Sequence, residues 1–352
     1  MKTYRNLWND FISDENIEIS IKDFAKGKKK KRKDVRIFLT KYNNNPKGAI
    51  VQHMVVNVLK PMFLRGIYER SYGSIPGRGA HDGKKAIEKW IRHDTKNCKY
   101  CLKLDVKKYF DSIPHDILKS KLEKELKDER LLTVLFTIID STEKGLPLGF
   151  YTSQWLSMWY LKDFDHFVKE QCYAPHYMRY MDDIVILGGD KEMLIETLNK
   201  VTEYLRELEL ELNSKSQLFQ FCWYDEKDNK HGRDIDFMGF RFFPDRKILR
   251  KSIMVKMTRK AKNIFTTENK PTIYQLRQII SYMSYIKNSK VYGVWLEYLK
   301  PILDYKKARK RIGNYDRKIN KIKNKLAERE MIIMFEDYQQ GKIRPIMAAA
   351  AA

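Results

Sequence analysis

The chain has 352 residues, of which 43% are hydrophobic and 12% aromatic, including 21 tyrosines, which excludes a disordered or low-complexity protein. A formal net charge of +24 calls for a polyanionic partner, with nucleic acid the first candidate and an anionic membrane surface the second. No stretch is apolar for long enough to span a bilayer and no signal-peptide pattern occurs, so a soluble, cytosolic protein of one large domain or two or three lobes is expected.

In chain order, a charged helical stretch ends in "KGKKKKRKDVR" at 26–36, a basic segment suited to phosphate contacts. "YNNNPKG" at 42–48 is turn chemistry. Apolar residues then recur at helical spacing from Ile50 to Tyr68, with Pro61 expected to kink or end that helix. "YGSIPGRGAHDG" at 72–83 is a glycine-rich loop with one arginine, and a helix follows over 84–92. "KYCLKLDV" at 99–106 alternates like a half-buried strand, Tyr100, Leu102 and Leu104 on one face and Cys101, Lys103 and Asp105 on the other. "PHDILKSKLEKELKD" opens a helix with proline near its start. "GLPLGFYTSQWLSMWYLKDFDHFVKE" at 145–170 reads as a loop entering one long amphipathic helix.

"HYMRYMDDIVILG" reads as strand, carboxylate turn, strand, and a helix of about twenty residues follows it. "DIDFMGFRFFPDRKILRKS" at 234–252 reads as a short hairpin, and from Met254 onward the pattern is helical and basic, most of all at 305–325. The closing alanines look artificial. Mixed α and β followed by basic helices indicates an α+β body with a helical lobe. Of the four cysteines, Cys98 and Cys101 form a C-x-x-C without a second pair at zinc spacing, so reduced structural thiols are expected.

Asp182 and Asp183 are adjacent carboxylates between two apolar runs, where each raises the energy of the other. At a hairpin apex both side chains can aim at one point, and a divalent cation there removes the repulsion. Mg²⁺ takes hard oxygen ligands and shares them with substrate phosphates. Two such ions can activate a 3′-hydroxyl and stabilise a leaving pyrophosphate. Asp105, at the end of the polar face of its strand, is the best third carboxylate.

"YMDD" at 180–183 resembles the catalytic motif of reverse transcriptases, and neighbouring segments follow in that family's order. "LKLDVKKYFDSI" at 102–113 resembles the first palm motif, with Asp105 as metal ligand. "GLPLGFYTSQ" at 145–154 resembles the next, "LELNSKSQ" at 210–217 the one carrying a lysine near the pyrophosphate, "DFMGFRF" at 236–242 the primer grip, and "YGSIPGRGAHDG" a fingers motif. The ordered match runs from about 50 to 252.

The resemblance implies a right-hand polymerase. Its expected parts are an N-terminal basic segment and reduced fingers at 1–49, fingers at 50–98, a palm with an antiparallel sheet and helices at 99–243, and a helical basic thumb with extension at 244–347. Residues 348–352 are an artificial tail. Asp105, Asp182 and Asp183 would bind two Mg²⁺ ions, with Mn²⁺ as a substitute, and Lys215 would assist the leaving pyrophosphate. Phe110 would lie under the incoming sugar and clash with a 2′-hydroxyl. Arg78 would clamp triphosphate oxygens. Leu148, Gly149 and Gln154 would line the nucleotide and template site, Gly149 by close backbone approach. Met238, Gly239 and Phe240 would form the primer grip. Template RNA, the RNA–DNA duplex and dNTPs are the implied partners.

"LGFYTSQ" narrows the resemblance. Retroviral and group II intron enzymes usually have a Gln-Gly pair followed by Ser-Pro, whereas Leu148 and Gln154 stand here in place of the glutamine and the proline. The form looks like that of diversity-generating retroelement enzymes. These copy a template-repeat RNA with errors at adenines for mutagenic retrohoming, and work with a small, basic, helical accessory protein that forms a pentamer. Leu148 is thereby implicated in low selectivity at adenine. A phage-defence reverse transcriptase and a catalytically silent RNA-binding scaffold are the competing readings. The segment before Ile50, "DVRIFLTKYNNNPKGA", is too short for the family's usual fingers β-hairpin.

Overall fold

Alternating apolar residues put Tyr100–Asp105 at the heart of a five-stranded sheet. Its strands are β1 (Ser71–Tyr72), β2 (Tyr100–Asp105), β3 (His176–Tyr180), β4 (Asp183–Gly188) and β5 (Gln217–Gln220), in the order β1-β3-β4-β2-β5. All pairings are antiparallel except β1 with β3. This computed structural model describes residues 3–27, 46–265, 271–287 and 305–319, with 293, 297 and 321. Most of the basic run at 26–36, the segment 34–45 that bears on the missing fingers hairpin, and the chain beyond 321 lie outside the described residues. The class is α+β, as expected.

The sheet is covered on both faces, because side chains alternate along each strand. Leu102, Leu104, Tyr177, Ile184 and Ile186 pack into one core, with the helices Pro46–Leu64, His115–Glu125, Glu129–Ile139, Tyr151–Tyr160, Lys162–Glu170 and Lys191–Glu207. Cys101, Met178, Val185 and Leu187 pack into a second core, with the helix Ala80–His93, the strands after residue 234 and the helices after residue 250. The half-buried pattern expected of β2 holds at Lys103 and Asp105, which keep partial exposure, whereas Cys101 on the same face is fully buried in the second core. All four cysteines are free and buried. Burial pushes the Cys98 thiol up to about 12 and Cys101 up as well, which disfavours the thiolates a zinc site needs.

Other expectations are corrected too. The helix Pro46–Leu64 runs through Pro61 and ends at Leu64, at the cost of the i→i−4 hydrogen bond that an N–H at residue 61 would donate to the Asn57 carbonyl. The segment 145–170 holds two helices, Tyr151–Tyr160 and Lys162–Glu170, with the break at Leu161. The first is buried over nearly its whole circumference and so has no polar face to be amphipathic with. The break lets Phe164, Asp165 and Val168 of the second turn inward, where it packs on β3.

The hairpin expected at 234–252 is a three-stranded antiparallel sheet of β8 (Ile235–Phe237), β9 (Phe240–Phe242) and β10 (Lys247–Leu249). A further hairpin, β6 (Trp223–Tyr224) with β7 (Lys230–His231), precedes it. Its turn is locked by Asp225, which accepts from the backbone N–H groups of Lys227 and Asn229 and is bonded to His231 Nε2. Beyond residue 250 come the helices Lys251–Phe265 and Ile273–Lys287 and a helix over 305–319, as the pattern indicated. Among the described residues no helix is long and apolar enough to cross a membrane.

Gly145 shows how closely the parts fit. Its φ of +71° is in the left-handed region, and a Cβ there would lie 2.5 Å from both Asp111 Cα and the Phe110 carbonyl oxygen. Gly145→Ala is expected to destabilise the fold by about 1–3 kcal/mol, since it adds backbone strain and a clash with main chain that cannot rotate away. Urea denaturation of the two proteins, read by circular dichroism, checks this.

Candidate active site

Asp105 and Asp183 are direct partners across the β2–β4 ladder. Opposed residues of antiparallel strands have Cα atoms about 4.5–5.5 Å apart, so the backbone alone sets two carboxylates side by side. Asp182 belongs to the two-residue turn between Tyr180 and Asp183, which pair in register. Its carbonyl accepts a hydrogen bond from Val106 N–H, tying the turn to the end of β2. Met181, the other turn residue, has φ +58°, a value usually taken by glycine at that position of a two-residue hairpin. Two contacts fit the turn to its surroundings. Met181 N–H donates to the Tyr72 carbonyl at 3.1 Å, and Met181 Cγ and Sδ fill the space where Gly73 lacks a Cβ.

All three carboxylates are partly buried. Burial raises the Asp182 carboxyl above its ordinary value, and Asp183 and Asp105 raise it further against the Arg179 guanidinium. Asp183 is raised by burial and by Asp105, with Lys103 and Arg250 opposing. Those two cations are held elsewhere. Lys103 Nζ donates to the Asp236 carbonyl at 2.8 Å, and Arg250 bonds the Asp236 carboxylate at 2.6–2.7 Å. The cluster is thus under-neutralised. Three hard-oxygen donors of one sign are the donor set a hard divalent cation takes. Among the described residues no three acidic, histidine or cysteine side chains already converge on one point, so a cation would draw the carboxylates together.

The other expected residues lie on segments tied to this centre. Asn213 N–H donates to the Asp105 carbonyl at 2.7 Å, and the Asn213 side chain accepts from Lys215 N–H; the Lys215 side chain is exposed. Phe110 sits on the short helix Tyr109–Ser112 after β2, half-buried and edge-on to Tyr109 with ring centroids 5.8 Å apart. Its carbonyl accepts from Leu146 N–H at 2.7 Å, stapling the 145–149 loop to it. In that loop Gly149 has φ +91° and Leu148 is 60% exposed. Ser153 Oγ bonds the Pro147 carbonyl, and buried Gln52 accepts from Tyr151 N–H, fixing where the helix begins.

Gln154 is exposed and accepts from Ser74 Oγ in the glycine loop at 3.4 Å. Arg78 in that loop bonds the Tyr68 carbonyl at 2.9 Å and not the carboxylates. Met238 and Gly239 form the β8–β9 turn, both with positive φ. Arg250 N–H donates to the Gly239 carbonyl, and Met238 packs into the space beside Gly83. Phe240 is fully buried under Lys84 Nζ, 5.2 Å from the ring centroid. Lys103 and Arg250, which connect this hairpin to the carboxylates, are missing from the sequence-based set. A lysine on an otherwise apolar strand, two residues before Asp105, was the available signal.

The family described as "Reverse transcriptase (RNA-dependent DNA polymerase)" matches residues 28–242. The chain belongs to the reverse transcriptase family. It is 29% identical over 135 residues to "Uncharacterized 91 kDa protein in cob intron" of Schizosaccharomyces pombe, across 36% of this chain and 16% of that protein. To Escherichia coli "Protein YkfC" it is 24% identical over 156 residues, across 39% of this chain and 41% of the other. It also aligns at 13% identity with a solved telomerase from Candida tropicalis, "in complexe with TWJ fragment of telomeric RNA", with a TM-score of 0.42 over 82% of this chain and 51% of that one. In each case the chain spans well under two thirds of the relative's length.

Asp182 in the folded reverse transcriptase holds its proton more tightly than in the unfolded chain, where a carboxyl titrates near 3.8. The resulting penalty is absent below that value and grows as pH rises through the higher folded value. Asp182→Asn, in EDTA, is therefore expected to melt above wild type at pH 7, with the gain vanishing as the pH approaches 3.8. Thermal melts across that range check it.

Proposed function

We propose that this reverse transcriptase is an active RNA-directed DNA polymerase, and the observation that carries the reading is the register that sets Asp105 against Asp183 with Asp182 in the adjoining turn. Asp105, Asp182 and Asp183 would hold two Mg²⁺ ions, with Mn²⁺ as a substitute, which would supply Lewis-acid stabilisation of the attacking and leaving oxygens. The protein's part is to bind, orient and discriminate. Lys215, exposed on a loop tied to Asp105, neutralises the leaving pyrophosphate. Arg78 clamps the triphosphate once released from the Tyr68 carbonyl. Phe110 excludes ribonucleotides by its bulk under the sugar. Gly149, Leu148 and Gln154 border the nucleotide and template. Met238, Gly239 and Phe240 hold the primer terminus.

On this reading residues 1–49 are a basic segment with reduced fingers, 50–98 fingers, 99–243 palm and 244–347 thumb. The net charge of +24 suits a protein that holds template RNA and an RNA–DNA duplex through phosphates. We place the enzyme in the cytoplasm, in the diversity-generating retroelement group, copying a template-repeat RNA into error-prone cDNA together with a small basic pentameric accessory protein. "LGFYTSQ" supports that assignment, and the 60% exposure of Leu148 supports a role for that side chain at a ligand surface over one in packing.

Primer extension on an RNA template with Mg²⁺ tests the activity. Asp182→Asn is expected to reduce synthesis to background while RNA affinity is retained; extension that survives sinks the metal assignment. Phe110→Ala is expected to raise ribonucleotide incorporation relative to dNTPs by about tenfold, a barrier change of about 1.4 kcal/mol. An unchanged ratio removes the gate. Sequencing cDNA made from the flanking RNA separates the retroelement role from phage defence, since only the former gives adenine-biased errors.

A further inference from the structure

Directly beneath the Met181–Asp182 turn lies an ion pair with no solvent exposure on either side, Arg179 of β3 and Asp165 of the helix Lys162–Glu170. It is bidentate, Arg179 Nε to Asp165 Oδ1 and Nη2 to Oδ2, both at 2.6 Å. Tyr177 Oη and Ser71 Oγ complete the carboxylate, each donating at 2.5 Å to a different oxygen. Of the remaining guanidinium N–H groups, one on Nη1 faces Met158 Sδ at 3.8 Å and two turn toward the backbone. Nη2 donates to the Met158 carbonyl at 3.3 Å, and Nη1 donates to the Met181 carbonyl at 2.9 Å. Burying two charges is expensive even when they pair, and apolar replacements are often as stable. Stability therefore gives a weak account of the pair, and its contact with the turn gives a better one.

We propose that Arg179, oriented by Asp165, is a positioning residue that sets the Met181–Asp182 turn for metal binding, and that Ser71 joins the glycine loop at 72–79 to the same network. Both polar backbone groups of Met181 are held in this way. Its carbonyl is held by Arg179 and its N–H by the Tyr72 carbonyl, next to Ser71. These fixed partners, with the Met181 side chain seated against Gly73, hold a non-glycine residue at φ +58°, directly before Asp182. A lysine has one nitrogen and cannot grip both Asp165 oxygens and the turn carbonyl together. Because β1 carries Ser71 and Tyr72 into the loop that contains Arg78, a shift of that loop is felt at the Asp182 turn.

The inference rests on the reading of Asp182 as a metal ligand, so Mn²⁺ binding to the full chain, followed by the electron paramagnetic resonance of free Mn²⁺, is the test. Asp182→Asn defines the specific site. The double variant Arg179→Met with Asp165→Leu removes both charges together, and it is expected to melt cooperatively while binding Mn²⁺ about tenfold or more weakly, as loss of supporting contacts around metal ligands usually does. Ser71→Ala removes one hydrogen bond and no charge, and is expected to weaken binding roughly twofold to threefold. Wild-type Mn²⁺ affinity in a folded double variant overturns the inference while leaving the metal site intact. If the double variant does not fold, unchanged affinity in Ser71→Ala overturns it. Mn²⁺ binding that survives Asp182→Asn overturns the metal reading and this inference with it.

Discussion

The antiparallel register of β2 against β4 is the constraint on which the site depends. It brings Asp105 opposite Asp183 and, on the same ladder, matches Leu102 with Ile186 and Leu104 with Ile184 on the first core. A slip of one residue would turn those apolar side chains from the first core to the face that packs on the second and separate the two acids in one step. The burial that stabilises the sheet therefore also enforces a juxtaposition of like charges that electrostatics opposes. The apolar side of the strand pair supplies the stabilisation, and the carboxylate end draws on it.

Charge is arranged in layers around that end. Asp105, Asp182 and Asp183 are under-neutralised, and the nearby cations Lys103 and Arg250 are bonded to Asp236 on the β8–β9 hairpin. A residual negative field remains at the rim where a cation and a phosphate-bearing substrate would meet, while the same contacts fix the hairpin that carries Met238 and Gly239. The buried Arg179–Asp165 pair is the opposite case. It is fully satisfied and closed to water, and it bonds the turn at the Met181 carbonyl while its guanidinium also opposes the upward shift of the Asp182 carboxyl.

Parts of this were legible because they are local. The apolar alternation of 100–104, the carboxylate turn between two apolar runs and the helical periods after 50 and after 190 depend on neighbours a few residues apart, and each element is present, although the helix expected over 50–68 runs from Pro46 to Leu64 and takes in the end of the turn expected at 42–48. The departures have a common cause in tertiary burial. The helix at 145–170 breaks at Leu161 because its second half packs on β3. β5, β6 and β10 are two to four residues long, too short for an alternation to show, and β5 gains its partner from the distant β2.

The sequence by itself determined the family, the three candidate acids and the residues expected to surround them, because motif order and residue chemistry are one-dimensional. Only the tertiary structure decided what holds those residues in place. Arg179 reads in the chain as a charge interrupting a strand, and Asp165 as one acid among several on a helix. Their pairing across 14 positions, and the use of the spare guanidinium N–H on the Met181 carbonyl, exist only once β1, β3 and the Lys162–Glu170 helix pack together. A hydrogen bond depends on direction and distance in space, and spacing along the chain carries neither for residues on separate elements.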